Sequence, residues 1–218
     1  MNQMSQGLVS VEEMEKTLKQ FKLSGIVRTL ELRLQQATDE GLVCSEFLGL
    51  LLEDEKNSRQ DHRRSRLYKG AKLPFEKGLE DFDFSFQPSI KKTEILELAT
   101  CRFVERKSNI LFIGQPGTGK THLSVALGLQ ALGYGKTVLF SSLWEMIHQL
   151  QQSRADLSYQ RKIQEYLKPD LLILDELGYR GMADKTVEDF FEIVSRRYEK
   201  GSIIITSNRS VSEWDKVF

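Results

Sequence analysis

A glycine-rich run that ends in a lysine and a threonine is the strongest chemical signal in this sequence. The run Gly114-Gln-Pro-Gly-Thr-Gly-Lys120-Thr121 fits the pattern G-x-x-x-x-G-K-[ST], with an apolar strand before it and a helix after it. In such a loop the backbone amides turn toward phosphate groups, the lysine reaches the β and γ oxygens, and the threonine hydroxyl suits Mg²⁺. The predicted nucleotide-binding residues are Gly114, Gln115, Pro116, Gly117, Thr118, Gly119, Lys120, Thr121 and His122.

Two consecutive carboxylates follow a second apolar run, Leu171-Leu-Ile-Leu-Asp175-Glu176. In an open parallel sheet ligands bind at the carboxyl ends of the strands, so both acids are expected beside the phosphate loop. We expect Asp175 to hold Mg²⁺ through its water shell, and Glu176 to polarise a water aimed at the γ-phosphate. The alternative interpretation is that the pair only caps a surface turn.

A third polar cluster ends the run Ile203-Ile-Ile-Thr206-Ser207-Asn208-Arg209. This strand can lie between the phosphate-loop strand and the Asp175 strand, which would let Asn208 face the γ-phosphate and help to place the water. Taken alone the signal is weak, because a strand that ends in Ser-Asn is usually followed by a simple turn.

Strands alternate with helices in the part of the chain that carries these motifs. After Ser89 we expect a helix from Ile90 to about Arg106, and further helices of ten or more residues separate short apolar strands. This alternation predicts a doubly wound α/β domain with a parallel sheet. The predicted strands are Ile110 to Ile113, Thr137 to Phe140, Leu171 to Leu174 and Ile203 to Thr206.

The first part of the chain has a helical pattern instead. Ser10 and Glu13 form a capping-box signature before a first helix, and two more helices follow. We therefore predict a helical domain over 1–70, an extended connector over 71–88 and a core over 89–218. The connector holds Phe82, Phe84 and Phe86, which either pack it onto the sheet, stack on nucleic-acid bases or help to form an adenine pocket.

Basic residues concentrate near the end of the third predicted helix. Eight basic residues and two acidic ones lie between Lys56 and Lys77, although the whole chain balances 31 basic against 31 acidic residues. Such a stretch is either a surface for a polyanion such as DNA or a solvated helix face. The candidate DNA-binding residues are Arg59, Arg63, Arg64, Arg66 and Lys69.

Composition narrows the class of protein. With 218 residues, 40% of them hydrophobic and 28% charged, the chain is typical of a globular protein and has no apolar run long enough for a membrane helix. The N-terminus lacks a secretory signal pattern, so we expect a cytoplasmic protein without a membrane partner. Cys44 and Cys101 have no metal-ligand spacing around them.

Four segments together resemble one family closely: Leu79 to Phe84, Asn109 to Leu123, Leu171 to Tyr179 and Ser202 to Arg209. They resemble the IstB family, AAA+ ATPases encoded beside the transposase in insertion sequences and similar to DnaC-type helicase loaders. The resemblance implies an AAA+ P-loop fold, ATP with Mg²⁺ as ligands, and ATP-dependent homo-oligomers on double-stranded DNA. It also implies that the protein recruits or activates the transposase of the same element.

The same resemblance assigns roles to five residues of the site. It makes Lys120 and Thr121 the Walker A residues, Asp175 and Glu176 the Walker B acids, and Asn208 sensor 1. The runner-up function is a DnaC-like loader that remodels a replicative helicase, because such a loader uses an identical phosphate site. A small-molecule kinase would need an arginine-bearing lid, and no segment supplies one.

The chain departs from the family pattern at its C-terminus. The pattern continues beyond Trp214 into a helix that supplies an arginine to the neighbouring subunit, whereas this chain ends at Phe218. We expect a helix to begin at Ser210, the small helical lid to be missing, and the chain to be a weak, mostly monomeric ATPase. Arg196, Arg197 and Arg209 lie in the core but are poor substitutes for the missing arginine. The first two belong to a helix that runs back along the sheet, and Arg209 is expected to stay near the site of its own subunit.

Overall fold

The computed structural model of the protein describes residues 9–178 and 184–216. Residues 1–8, Tyr179 of the carboxylate motif and Phe218 therefore lie outside the described residues. By its internal contacts the chain divides into two compact units, Met1–Ser65 and Arg66–Phe218. The assignment of 1–70, 71–88 and 89–218 as domains stays a prediction.

The first unit is built from helices α1 (Val11–Gln20), α2 (Ser24–Glu40) and most of α3 (Cys44–Ala71). The predicted capping box is confirmed: the Glu13 N–H donates to Ser10 Oγ at 3.2 Å, and the Ser10 N–H donates to a Glu13 carboxylate oxygen at 3.1 Å. The buried apolar core of this unit is small and consists of Ile26, Leu30 and Leu51.

Polar side chains supplement this small core. Arg33 binds both carboxylate oxygens of Asp54 at 2.8 Å each, which ties α2 to α3. The buried carboxylate of Glu55 accepts the N–H of Gly25 at 2.7 Å and thereby caps the start of α2. A Cβ on Gly25 would lie 2.6 Å from the Cα of Glu55, so the two helices approach this closely only with glycine there.

The second unit contains a four-stranded parallel sheet in the order β1-β4-β3-β2. Its strands are β1 (Ile110–Ile113), β2 (Val138–Ser142), β3 (Leu171–Leu177) and β4 (Ser202–Ser207). The doubly wound α/β prediction is confirmed, and so is the position of the Ile203 strand between the other two site-bearing strands. All four strands end at one edge, where the predicted site residues lie.

Helices cover both faces of the sheet. They are α4 (Lys92–Ala99), α5 (Arg102–Glu105), α6 (Lys120–Gly133), α7 (Leu143–Ala155), α8 (Tyr159–Leu167) and α9 (Asp184–Arg197). One core cluster joins α7, α8 and α9 to the sheet, and a second joins α5, α6 and the last turns of α3 to it. Among the described residues, no helix combines the length and apolar character needed to cross a bilayer.

Two local expectations were wrong, and a third was correct in position. The helix predicted from Ile90 to Arg106 is two helices, because Cys101 adopts a left-handed φ of +57° that turns the chain so that Phe103 and Val104 are buried. Strand β3 does not end at Leu174 but continues to Leu177 after a shift in register. The helix expected after Ser210 is present as the 3₁₀ helix Val211–Lys216, and the N–H and hydroxyl of Ser210 donate to the Glu213 carboxylate.

The segment between α3 and α4 is a succession of turns. Phe82 N–H donates to Leu79 O at 3.2 Å in one of these turns. The extended conformation that the alternating phenylalanines suggested is therefore interrupted at this point.

Candidate active site

The phosphate loop connects β1 to α6, as the motif requires. Gly117 and Gly119 have φ values of +80° and +84°, in the left-handed region that favours glycine. At Gly119 a side chain is excluded a second time, because a Cβ there would collide with the ring of Phe82. The loop is thus shaped by its own glycines and by an aromatic residue that lies 37 positions earlier in the sequence.

Lys120 points into this loop. Its Nζ donates to the carbonyl oxygens of Gly114 and Gln115, at 2.8 Å each. Partial burial lowers the pKa of Lys120, while the negative charge of Asp175 acts in the opposite direction. The ammonium is therefore held in the loop by two neutral carbonyls, which the charged oxygens of a phosphate can replace with stronger bonds.

Thr121 and Asp175 join the two predicted motifs, although they are 54 residues apart. The Thr121 hydroxyl lies 3.0 Å from both carboxylate oxygens of Asp175. Asp175 is buried, with 7% of its surface exposed. The predicted convergence of the phosphate loop and the acidic strand is therefore present in the fold.

Thr206 is a site residue that the sequence interpretation missed. Its hydroxyl donates to Oδ1 of Asp175 and accepts the N–H of Glu176 at 2.9 Å. The only available signal was its position in β4, two residues before Asn208 on the strand predicted to lie beside β3. Its distance of two residues from Asn208 does not show that the Thr206 hydroxyl, and not another polar group of β4, contacts the acids.

Glu176 is exposed and has an unusual backbone. Its φ is +67°, and the register of the β3–β4 pair shifts around it. After the shift, β4 again supports β3 by side chains: Ser207 Oγ donates to Leu177 O at 2.8 Å, and Arg209 Nε donates to Gly178 O at 2.7 Å. Glu176 is thus the exposed carboxylate of the pair and Asp175 the buried one.

Asn208 lies at the same edge of the sheet. It is exposed and directly follows Ser207, whose carbonyl accepts the N–H of Gly114 at 3.1 Å. This bond joins the end of β4 to the first residue of the phosphate loop, so Asn208 lies beside that loop.

His122 belongs to an aromatic group under the loop. Its Nε2 lies 2.8 Å from Gly78 O, and its ring packs edge-on against Phe82 and Phe75 at centroid distances of 5.3 and 6.1 Å. Phe82 therefore packs on the phosphate loop and its first helical turn. Together with Phe84, whose ring centroid lies 4.8 Å away, it also lines a cleft of about 540 Å³.

The donors at the site fit Mg²⁺. Thr121 and Asp175 supply a hydroxyl and a carboxylate, which are the hard oxygen ligands that Mg²⁺ prefers. Within the described ranges no cluster of three or more His, Cys, Asp or Glu side chains could enclose a metal. In nucleotide sites Mg²⁺ is commonly held by one or two carboxylates together with the substrate phosphates, and these residues match that pattern.

The predicted DNA-binding residues all lie on helix α3 and are all exposed. Arg59, Arg63 and Arg64 belong to the first unit, and Arg66 and Lys69 to the second. Arg59 also has a structural contact, because its Nε lies 2.7 Å from the buried carboxylate of Glu55. A substitution at Arg59 would therefore change the folding of the first unit as well as its charge.

The structure also places the arginines considered as substitutes for a trans-acting one. Arg197 is only 1% exposed, and its guanidinium donates to carbonyls that include those of Tyr166 and Ser202 at 2.9 and 2.8 Å. Burial lowers its pKa to about 10. Arg197 is enclosed in the core and Arg196 is paired with Glu192 at 2.9 Å, which agrees with the expectation that neither substitutes for a trans-acting arginine.

Comparison with known proteins is consistent with this geometry. An alignment with AMPPCP-bound DnaA from Aquifex aeolicus has a TM-score of 0.60 and 27% identity, over 67% of this chain and less than half, 46%, of that chain. An alignment with the DnaC helicase loader has a TM-score of 0.51 and 24% identity, over 69% of this chain and 84% of that one. The second unit has the AAA+ P-loop fold, as predicted.

The sequence is similar to proteins of insertion sequences. A relative from Pseudomonas aeruginosa, named for insertion sequence IS21 and for ATP binding, is 39% identical over 208 residues, which are 95% of this chain and 78% of the relative. A family profile described as IstB-like ATP binding protein matches residues 16–218. Because that profile covers nearly the whole chain, the protein belongs to the family of IstB-like ATP binding proteins.

Proposed function

We propose that the protein is an ATP-dependent, DNA-binding regulator that assembles on target DNA and recruits or activates the transposase of its insertion sequence. The observation that carries the ATP-dependent part is the contact between Thr121 and Asp175, since it unites a phosphate loop with a metal-binding acid. The relation to insertion-sequence proteins supports the biological setting.

ATP hydrolysis at this site uses each residue in a distinct way. The amides of the phosphate loop and Lys120 bind the β and γ phosphates. Thr121 and Asp175 would hold Mg²⁺, which would supply neutralisation of the charge on those phosphates. Glu176 accepts a proton from the attacking water, and Asn208 helps to place that water. The exposure of Glu176 and the burial of Asp175 support this division of roles.

The adenine base is assigned to the cleft that Phe82 and Phe84 line. Phe82 contacts both this cleft and Gly119, so a nucleotide whose phosphates lie on the loop can extend toward the cleft. An apolar aromatic wall suits a base, because it removes the face of the ring from water. Phe86, which is 73% exposed, is not a wall residue of the cleft.

The basic turns of α3 are assigned to the DNA backbone. Arginine and lysine side chains that are exposed on one helix bind phosphates and release counterions without reading the base sequence. The residues are Arg59, Arg63, Arg64, Arg66 and Lys69, with Arg59 shared between DNA and Glu55. The proposal further includes a homo-oligomer and a cytoplasmic location.

The second candidate function is a helicase loader in which the first unit binds protein. Several large apolar side chains of that unit are exposed, among them Phe21 by 68%, Leu48 by 55% and Leu52 by 57%. Leu48 and Leu52 are one turn apart on α3, and neighbouring exposed apolar side chains are found at protein contacts when they form a contiguous patch. The fold-level likeness to the DnaC helicase loader is compatible with this alternative.

One experiment separates the two candidates. The purified protein is mixed with duplex DNA, with and without ATP, and mobility shifts are measured before the transposase or the replicative helicase is added. ATP-dependent binding to duplex and a further shift with the transposase are expected. If the transposase causes no further shift and the protein instead forms a complex with the helicase, the second candidate function replaces the first.

A further inference from the structure

Thr206 faces two residues of the neighbouring strand rather than one. Leu174 pairs with Ile205 and Leu177 pairs with Ser207, so Asp175 and Glu176 of β3 both lie opposite Thr206 of β4. Two residues against one is the definition of a β-bulge. In a regular strand the two acids would point to opposite faces of the sheet, whereas a bulge redirects side chains at this point.

A single hydroxyl group contacts both acids at this bulge. Thr206 Oγ1 donates its proton to Oδ1 of Asp175 and uses a lone pair to accept the N–H of Glu176, at 2.9 Å. A threonine hydroxyl has one proton and two lone pairs, so it can do both at once. Valine has the same shape but can do neither.

Thr206 itself cannot reach a nucleotide. It is 1% exposed and lies in β4, between β1 and β3. Its hydroxyl contacts only the two acids among the contacts found in the described part of the chain. Any effect of this side chain on the reaction must therefore pass through Asp175 or Glu176.

We infer that Thr206 is the positioning residue for both acids. Its donated bond fixes the Asp175 carboxylate that also faces Thr121, and its accepted bond fixes the backbone of Glu176 at φ +67°. One side chain thus sets the metal-binding acid and the water-activating acid relative to each other. The inference rests on the proposed ATP hydrolysis, because it concerns the geometry of that reaction.

The first test compares Thr206→Val with Thr206→Ser. The valine variant should lose about 10- to 100-fold in kcat, because small displacements of catalytic groups have effects of this size, while the Kd for ATP changes less than about 3-fold. It should also need more Mg²⁺ for half-maximal turnover. The serine variant keeps the hydroxyl and should restore most of kcat, whereas equal losses in both variants would overturn the inference.

The second test is a double-mutant cycle with Glu176→Gln. If Thr206 acts through Glu176, then Thr206→Val should lower the kcat of the Glu176→Gln protein much less than it lowers the kcat of the unmodified protein. Equal fold-losses in both backgrounds would contradict the inference. A Glu176→Gln protein with full turnover would instead contradict the proposed hydrolysis, so the two failures are distinguishable.

The matched control is Ser202→Ala. Ser202 is also buried on β4, and its Oγ donates to Phe103 O at 3.1 Å, away from the acids. It should lower the melting temperature and leave kcat and the Mg²⁺ dependence unchanged. If Thr206→Val lacks a cooperative melting transition, Thr206→Cys, which has similar volume and weak hydrogen bonding, takes its place with the same expected results.

Discussion

The hydroxyl of Thr121 lies 3.0 Å from each carboxylate oxygen of Asp175. This contact links the first turn of α6 to β3, and it is the point where the phosphate loop and the acidic strand become one site. Because both groups carry oxygen ligands for a hard cation, nucleotide and metal binding should depend on each other here.

Lys120→Ala should weaken ATP binding about 10- to 100-fold. The ammonium is the loop's own cation, and bonds to charged groups contribute about 1.5–3 kcal/mol each. Isothermal calorimetry with ATP and Mg²⁺ measures the change. Lys136→Ala is the control, because Lys136 pairs with Glu105 at 3.6 Å and belongs to no part of the proposed site. Unchanged affinity in Lys120→Ala would remove this lysine from the phosphate site.

Glu176→Gly should make the protein more stable and inactive. A left-handed φ of +67° costs a residue with a side chain about 1–2 kcal/mol, and glycine avoids that cost. We expect Glu176→Gly to exceed Glu176→Ala by about 1 kcal/mol in the free energy of unfolding, although both lose the proton acceptor. Denaturant unfolding and ATPase assays check this, and a glycine variant less stable than the alanine variant would contradict it.

Replacing Arg63, Arg64 and Arg66 by alanine should weaken duplex binding equally for all DNA sequences. If each side chain neutralises one phosphate, the slope of log affinity against log salt should fall by up to about 3. Arg59 is left intact because it also binds Glu55. Titrations at several salt concentrations measure the slope, and an unchanged slope would identify this surface as a solvated helix face.

Acid should destabilise the helical unit through Glu55. Burial raises the pKa of this carboxyl, but hydrogen bonds from Arg59, Gly25 and Ile26 outweigh it, so its pKa lies below the usual range. A depressed pKa means that the stabilisation is complete above the ordinary value near 4.5 and is lost as pH falls through the lower value in the folded protein. The hydrogen bonds from Arg33 likewise lower the pKa of the Asp54 carboxyl, so protonation of Asp54 in acid should also destabilise this unit.

Glu55→Gln isolates the contribution of Glu55. It should cost about 2 kcal/mol at neutral pH and should reduce the acid sensitivity of thermal unfolding between pH 7 and 3. Glu31→Gln, on an exposed surface of α2, is the control and should leave the pH profile as it is. A Glu55→Gln protein with the original profile would show that other carboxyl groups govern acid unfolding.

The sequence predicted those parts of the fold and site that depend on local patterns. The phosphate loop could be predicted because its glycines, lysine and threonine lie within eight consecutive residues, Gly114 to Thr121. The order of β1, β4 and β3 followed from the polar ends of their strands, since groups that share a ligand must lie at one edge. Both predictions needed only two kinds of information: the spacing of apolar residues, which shows where the strands and helices lie, and the positions of the polar motifs relative to them.

What could not be predicted depends on contacts between distant residues. The bulge at Glu176 arises from the pairing of β3 with β4, and no spacing within Leu171–Leu177 reveals it. A side chain at Gly119 would collide with the ring of Phe82. Phe82 is in a turn closed by its N–H bond to Leu79 O, and its ring contacts the phosphate loop, which is distant in sequence. The break at Cys101 likewise reflects burial of the following residues, which a helical pattern alone does not contain.

The central place of β4 has a consequence for synthesis of the protein. Ile110 pairs with Ile204 and Leu172 with Ile203, so β1 and β3 have no common neighbour until the ribosome has delivered β4. Until then each presents an unpaired edge, and such edges invite association with other chains. Nascent chains of this protein should therefore depend on chaperones over that interval and should acquire nucleotide affinity in one late step.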